Sequence, residues 1–106
     1  MEISSRDWKL FREKLPGWQE SYIERLNQEY IELLTGNGNA SDKFWELDKR
    51  IRKDKQCGGV ILQLRKSTMV FDIAALVNDG AITFSELEEF SDDVKETVHY
   101  LCNRNF

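Results

Sequence analysis

Apolar residues recur along this 106-residue chain at steps of three and four almost throughout, the spacing that lines one side of an α-helix. Trp8, Phe11 and Leu15 make a first short stripe. Ser4 stands where a cap is needed, Asp7 lies at the third helical position, and Ile3 and Trp8 hold the two hydrophobic-staple positions, so a helix is predicted over 5–14. Pro16-Gly17 ends it, because proline restricts the residue before it. The next stripe, Trp18, Tyr22, Leu26, Tyr30, Leu33 and Leu34, predicts a helix over 17–35, closed by Gly36-Asn37-Gly38-Asn39, residues that tolerate positive φ.

Ser41 then caps a third helix, 41–56, whose narrow apolar face is Phe44, Leu47 and Ile51 and whose flanks offer Glu46–Arg50 and Asp48–Arg52 as i, i+4 pairs. After Cys57-Gly58-Gly59 the apolar content runs on through Val77, far beyond strand length, so a fourth helix is predicted over 59–79. Leu62, Met69, Val70, Ile73, Leu76 and Val77 make one broad face of it, while Val60, Leu64, Phe71, Ala74 and Ala75 make a second, roughly opposite. A helix apolar on two sides is a central one. Gly80 is placed for a left-handed cap, and Thr83-x-x-Glu86 is a capping box with Ile82 and Leu87 as its staple. The stripe Phe84, Leu87, Phe90, Val94, Val98 and Leu101 predicts a last helix over 83–103. The expectation is a single all-α domain, 1–106, with about five helices bundled around the buried fourth. Four short helices leave such a core helix partly uncovered, which favours a homodimer.

Composition refines this little: 41% hydrophobic, 32% charged and one proline describe a helix-rich globular chain. The start, MEISSRDWKLF, has no basic segment followed by an apolar run, and no stretch has the eighteen or so apolar residues of a membrane span. With two cysteines far apart and outside any ligand spacing, the expectation is a cytoplasmic protein with reduced thiols. Net charge is -4, unevenly spread: residues 42–66 carry eight Lys/Arg against four Asp/Glu, and residues 67–106 two against eight. Oppositely charged helices lying side by side account for such a split more simply than a nucleic-acid partner does.

The segment Asp79 to Glu86 looks like the second half of a calcium-binding loop, but the first and third ligand positions fall on Ala75 and Val77, which have no oxygen to offer. Glu96-x-x-His99 is half of a di-iron motif, and His99-x-x-Cys102 could place two zinc ligands on one turn. A chain with a single histidine lacks the partners either needs, so no metal or cofactor is expected. Cys57 or Cys102 with His99 as base lacks the rest of a nucleophile site, so no enzyme is expected. The best binding hypothesis is Trp45, Lys49, Arg52 and Lys53, with Gln56, on the side of the third helix away from Phe44, Leu47 and Ile51. A tryptophan among cations can stack on a base while the cations meet phosphates. An overall pI near 5.0 weighs against that, and the acidic last helix is the favoured cover for this face.

Trp18 to Leu34 (WQESYIERLNQEYIELL), Ser41 to Arg52 (SDKFWELDKRIR) and Gly80 to Thr97 (GAITFSELEEFSDDVKET) resemble a family of short, uncharacterised bacterial proteins, some carrying an automated multidrug-transporter label. The resemblance implies a bacterial source and no established activity, and it assigns no functional residues. The transporter label has no spanning segment to rest on. The function expected is a non-enzymatic protein–protein interaction or regulatory module whose partner is another protein or a second copy, with Trp45, Tyr100 and the acidic surface at Glu89 and Asp93 as contact points. The alternative is a weak nucleic-acid-binding protein working through Trp45, Lys49, Arg52 and Lys53.

Overall fold

One helix, α1 (Ser5–Thr35), runs nearly the length of the molecule: 31 residues at a 1.5 Å rise make about 46 Å, against a longest dimension of 52 Å. The structure is a computed structural model, and it describes residues 2–103. Ser4 caps α1 as expected, its Oγ accepting from the Asp7 N–H at 3.1 Å, and the staple residue Ile3 is buried. The break predicted at Pro16-Gly17 does not occur. Phe11, Leu15, Trp18, Tyr22 and Leu26 follow one another at steps of four and three, so the apolar stripe crosses the proline without losing phase. Pro16 and Gly17 are both exposed, which leaves the Arg12 carbonyl that proline strips of its partner on the solvent side, where water serves it.

Three further helices follow: α2 (Ala40–Asp54), α3 (Met69–Asn78) and α4 (Asp92–Cys102), with 3₁₀ turns at Lys66–Thr68 and Phe84–Leu87 and no strand among the described residues. Among the described residues the fold is all-helical, but with four α-helices rather than five. Asn39 rather than Ser41 caps α2, accepting from the Asp42 N–H at 2.9 Å. The predicted fourth helix is halved. Residues 55–65 are irregular, because Gly59 lies buried against the Tyr22 ring, and the Gly58 carbonyl accepts from Gln19 Nε2 at 2.9 Å. Those ties to α1 hold the chain in a loop where apolar content alone reads as helix.

The two-sided burial expected of that helix is also absent. Met69, Val70, Ile73, Ala74 and Leu76 are buried, whereas Phe71 is 58% exposed and Leu64 and Ala75 lie at the surface. Gly80 does take the left-handed conformation, with φ 78°, and Glu86 accepts from the Thr83 N–H at 2.8 Å to close the capping box. That box starts only a 3₁₀ turn. The helix proper begins at a second cap, Ser91, whose Oγ accepts from the Val94 N–H at 3.3 Å while its own N–H and hydroxyl donate to Asp7 at 3.0 and 2.7 Å. A buried carboxylate 84 residues upstream therefore fixes where α4 starts.

The core is built from the N-terminal two thirds of α1, α3, the Phe84–Leu87 turn and α4. Phe11, Met69, Ile73, Leu76, Leu87, Val94 and Val98 are fully enclosed in it. Arg25 closes the far end, donating through Nη2 to the carbonyls of Gly80 and Ala81 at 2.9 and 3.0 Å, a cation at the C-terminus of α3. Beyond Leu26 the core stops, and none of residues 27–53 is buried. The end of α1 and all of α2 stand off as a helical hairpin, which explains a radius of gyration of 16.2 Å where a compact chain of this length has about 13 Å.

Candidate functional site

The hairpin is held in one arrangement by charged groups along one side of its two helices. Arg50 reaches across to Glu29 at 2.7 Å and lies 3.9 Å from Asp54, and the Tyr30 hydroxyl donates to Asp54 at 2.5 Å beneath the Arg50 guanidinium. Burial of the Tyr30 phenol and its bond to the Asp54 carboxylate push its pKa up to about 12. At the tip, Lys43 Nζ donates to the Leu34 carbonyl at 3.3 Å and caps the open end of α1. The sequence pairs Arg50 with Glu46, but the structure sends it to α1 instead. Asp48–Arg52 forms as expected, at 2.8 Å.

Beside that brace the seam between the two helices opens into a groove of two pockets: Ile23, Tyr30, Ile51 and Asp54 line the inner one, and Leu34, Lys43, Phe44 and Leu47 the outer one, of about 620 Å³. Phe44 is 59% exposed and packs edge-on against Trp45, 64% exposed, with ring centroids 5.0 Å apart. Ile31, Leu34 and Ile51 are exposed as well. Both walls repeat at steps of four, three and four: 23, 27, 30, 34 on α1 and 40, 44, 47, 51 on α2. That is the heptad-like spacing with which helices pack on other helices. The face Phe44, Leu47 and Ile51, predicted to pack within the bundle, is largely uncovered instead: Phe44 and Ile51 are exposed and Leu47 is half-buried, with Lys55 and Val60 of the following loop beside Ile51.

Trp45, Lys49, Arg52 and Lys53 all lie exposed on α2, on the side turned from α1. The acidic last helix does not cover them, which overturns the favoured packing: α4 is packed against α3 at the opposite end of the molecule. Of the other contact points, Glu89 pairs with Lys14 at 2.8 Å, and Asp93 and Tyr100 are exposed far from the hairpin. His99 lies at the surface, its ring 5.3 Å from Phe84 and its Nδ1 2.8 Å from Asn103 Nδ2. Cys57 and Cys102 are unpaired, and burial pushes the Cys102 thiol up, away from the thiolate that nucleophilic attack requires. Among the described residues no group of three or more His, Cys, Asp or Glu is placed to hold a metal, and no helix is long and apolar enough to cross a membrane. Ala75 and Val77, at the ligand positions of the calcium-like segment, lie within α3, and the Glu86 carboxylate is engaged by Thr83.

Comparison with protein-family models, with curated proteins and with solved structures finds no match.

Proposed function

We propose that this chain is a non-enzymatic protein–protein interaction module that presents the groove of the α1–α2 hairpin to a helical partner. The observation that carries the reading is the run of residues 27–53, none of them buried, in which Ile31, Leu34, Phe44, Trp45 and Ile51 nevertheless stand at the surface. Single exposed apolar residues are ordinary, but five on one braced hairpin, with the Phe44 and Trp45 rings in contact, mark a surface awaiting cover. The heptad-like spacing of both walls names the kind of cover, an amphipathic helix laid into the groove.

A photo-crosslinking phenylalanine analogue placed at position 44, in cells making the full chain, tests this. Discrete protein adducts are expected from position 44 and not from exposed position 71 on α3. No adduct at 44, or the same adducts from both positions, would count against the proposal.

A second reading draws on the exposure of Trp45, Lys49, Arg52 and Lys53: weak, salt-sensitive binding of single-stranded nucleic acid. Arg52 is already engaged by Asp48, leaving few cations for phosphates. Anisotropy of a labelled oligonucleotide titrated at low and moderate salt separates the readings, and binding absent at low salt removes the second.

A further inference from the structure

Where the core ends, the forces that hold the chain change in kind. Leu26 is buried but stands outside the core cluster, lining the inner pocket of the α1–α2 seam with Ile51 and Val60. Beyond it, α2 buries a single side chain, and that one is the carboxylate of Asp54. A helix that buries so little apolar surface gains little from leaving water. Its place on α1 depends chiefly on three polar ties: Arg50 to Glu29 at 2.7 Å, the Tyr30 hydroxyl to Asp54, and Lys43 Nζ to the Leu34 carbonyl at 3.3 Å. All three end on α1.

The chain on either side of α2 sets the limits of the piece held in this way. Gly36 to Asn39, exposed throughout, joins it to α1, and Gly38 there takes φ 125°, which glycine adopts without strain. At the other end the Gly58 carbonyl accepts from Gln19 Nε2 at 2.9 Å and Gly59 is buried against the Tyr22 ring, so the loop is pinned to α1 from residue 58. Residues 37–57 therefore lie between a glycine joint and a fixed point.

We infer that α2 is a latched arm: residues 37–57 leave α1 together while the core of α1, α3 and α4 stays closed, and the Arg50–Glu29 and Tyr30–Asp54 contacts are the latch. Elements with few buried apolar contacts open locally at a lower free energy than the whole domain. Opening uncovers Ile23, Leu26 and Tyr30 on α1. It also takes apart the outer pocket, because Leu34 and Phe44 belong to different helices. The arm thereby controls whether the groove exists as a surface, a consequence that rests on the groove being a docking site; the opening itself does not.

Hydrogen exchange of the full chain, followed by mass spectrometry at one low micromolar concentration, tests it in wild type, Tyr30→Phe and Ile73→Val. A free helix of 15 residues is marginal in water, so the α2 amides exchange once the arm leaves α1. In wild type they should be at least about tenfold less protected than the slowest amides of α3 and α4. Tyr30→Phe keeps the ring and removes one bond to a charged acceptor, so it should speed exchange in α2 about tenfold and leave α3 and α4 unchanged. Ile73→Val, in the enclosed core, should do the reverse, speeding the slowest amides of α3 and α4 about fivefold and leaving α2 as it was. Equal protection of α2 and the core overturns the arm, and so does either variant speeding all the helices alike. Unchanged α2 exchange in Tyr30→Phe overturns the latch. The adducts expected at position 44 test the docking reading separately.

Discussion

Asp7 is the residue on which the closed end of the fold most depends, and its replacement gives the sharpest prediction about stability. Its carboxylate is 2% exposed and accepts from the Ser4 hydroxyl at 3.0 Å, the Ser91 N–H at 3.0 Å and the Ser91 hydroxyl at 2.7 Å. Asp7→Ala deletes all three bonds and leaves the Ser91 N–H without a partner at the start of α4. A hydrogen bond to a charged group contributes about 1.5–3 kcal/mol, and the three share one carboxylate, so a total of roughly 3–5 kcal/mol is expected rather than their sum. For a chain of this size each kcal/mol moves the melting temperature by about 4–8 °C, so a fall of at least about 12 °C should appear.

Burial alone would push the Asp7 carboxyl up, but the bonds from Ser91 and Ser4 hold it below its ordinary 3.8. A carboxyl whose pKa is lower folded than unfolded contributes stability above the unfolded value, and that contribution is lost as pH falls through the folded one. Wild type should therefore lose stability on acidification below about pH 4 more steeply than Asp7→Asn does. Urea unfolding followed by circular dichroism at neutral pH and at pH 3 reads both effects. A loss under about 0.5 kcal/mol in Asp7→Ala, or equal acid sensitivity in the two proteins, would refute the reasoning.

Other substitutions separate core from hairpin. Leu15→Ala should cost about 2–5 kcal/mol, whereas Phe44→Ala should cost the monomer under about 0.5 kcal/mol, read by urea titration at a concentration where the chain is monomeric. Gly59→Ala should destabilise by about 1–3 kcal/mol in the same titration, because the new Cβ collides with the Tyr22 ring and either the ring or the loop must shift. Tyr30 should ionise late, near pH 12 rather than 10, visible as a high-pH tyrosinate absorbance step that Tyr30→Phe removes. A raised pKa means its contribution to folding is complete below pH 10 and fades between about 10 and 12.

Much of the fold is legible in local sequence. The Ser4 cap, the end of the second stripe at Thr35, the left-handed Gly80 and the Thr83–Glu86 box all depend on neighbours within four residues, and each is found in the structure. What misleads is non-local. Pro16 looks like an end because its local cost is plain, while the burial of Leu15 and Trp18 on either side of it depends on α3 and α4. Ser91 rather than Thr83 starts the last helix because Asp7 reaches it across the fold, and Gly59 keeps 55–65 out of helix because Tyr22 lies on it. The groove is legible as pattern, since 40, 44, 47 and 51 keep heptad-like steps, but a periodic face gives no sign of whether anything covers it. Arg50 shows the same limit: its choice of Glu29 over Glu46 depends on how α1 and α2 dock.

The proposed function makes residues 27–53 the surface where this chain meets another polypeptide, a different protein or its own second copy. Hydrogen exchange measured by mass spectrometry on the full chain, at low and at high micromolar concentration, tests it most directly. Amides in 27–35 and 40–54 should become more protected as concentration rises, while those in α3 and α4 keep the same rates. Concentration-independent exchange in the hairpin together with no adduct at position 44, or new protection in 69–78 and 92–102 instead, would contradict it.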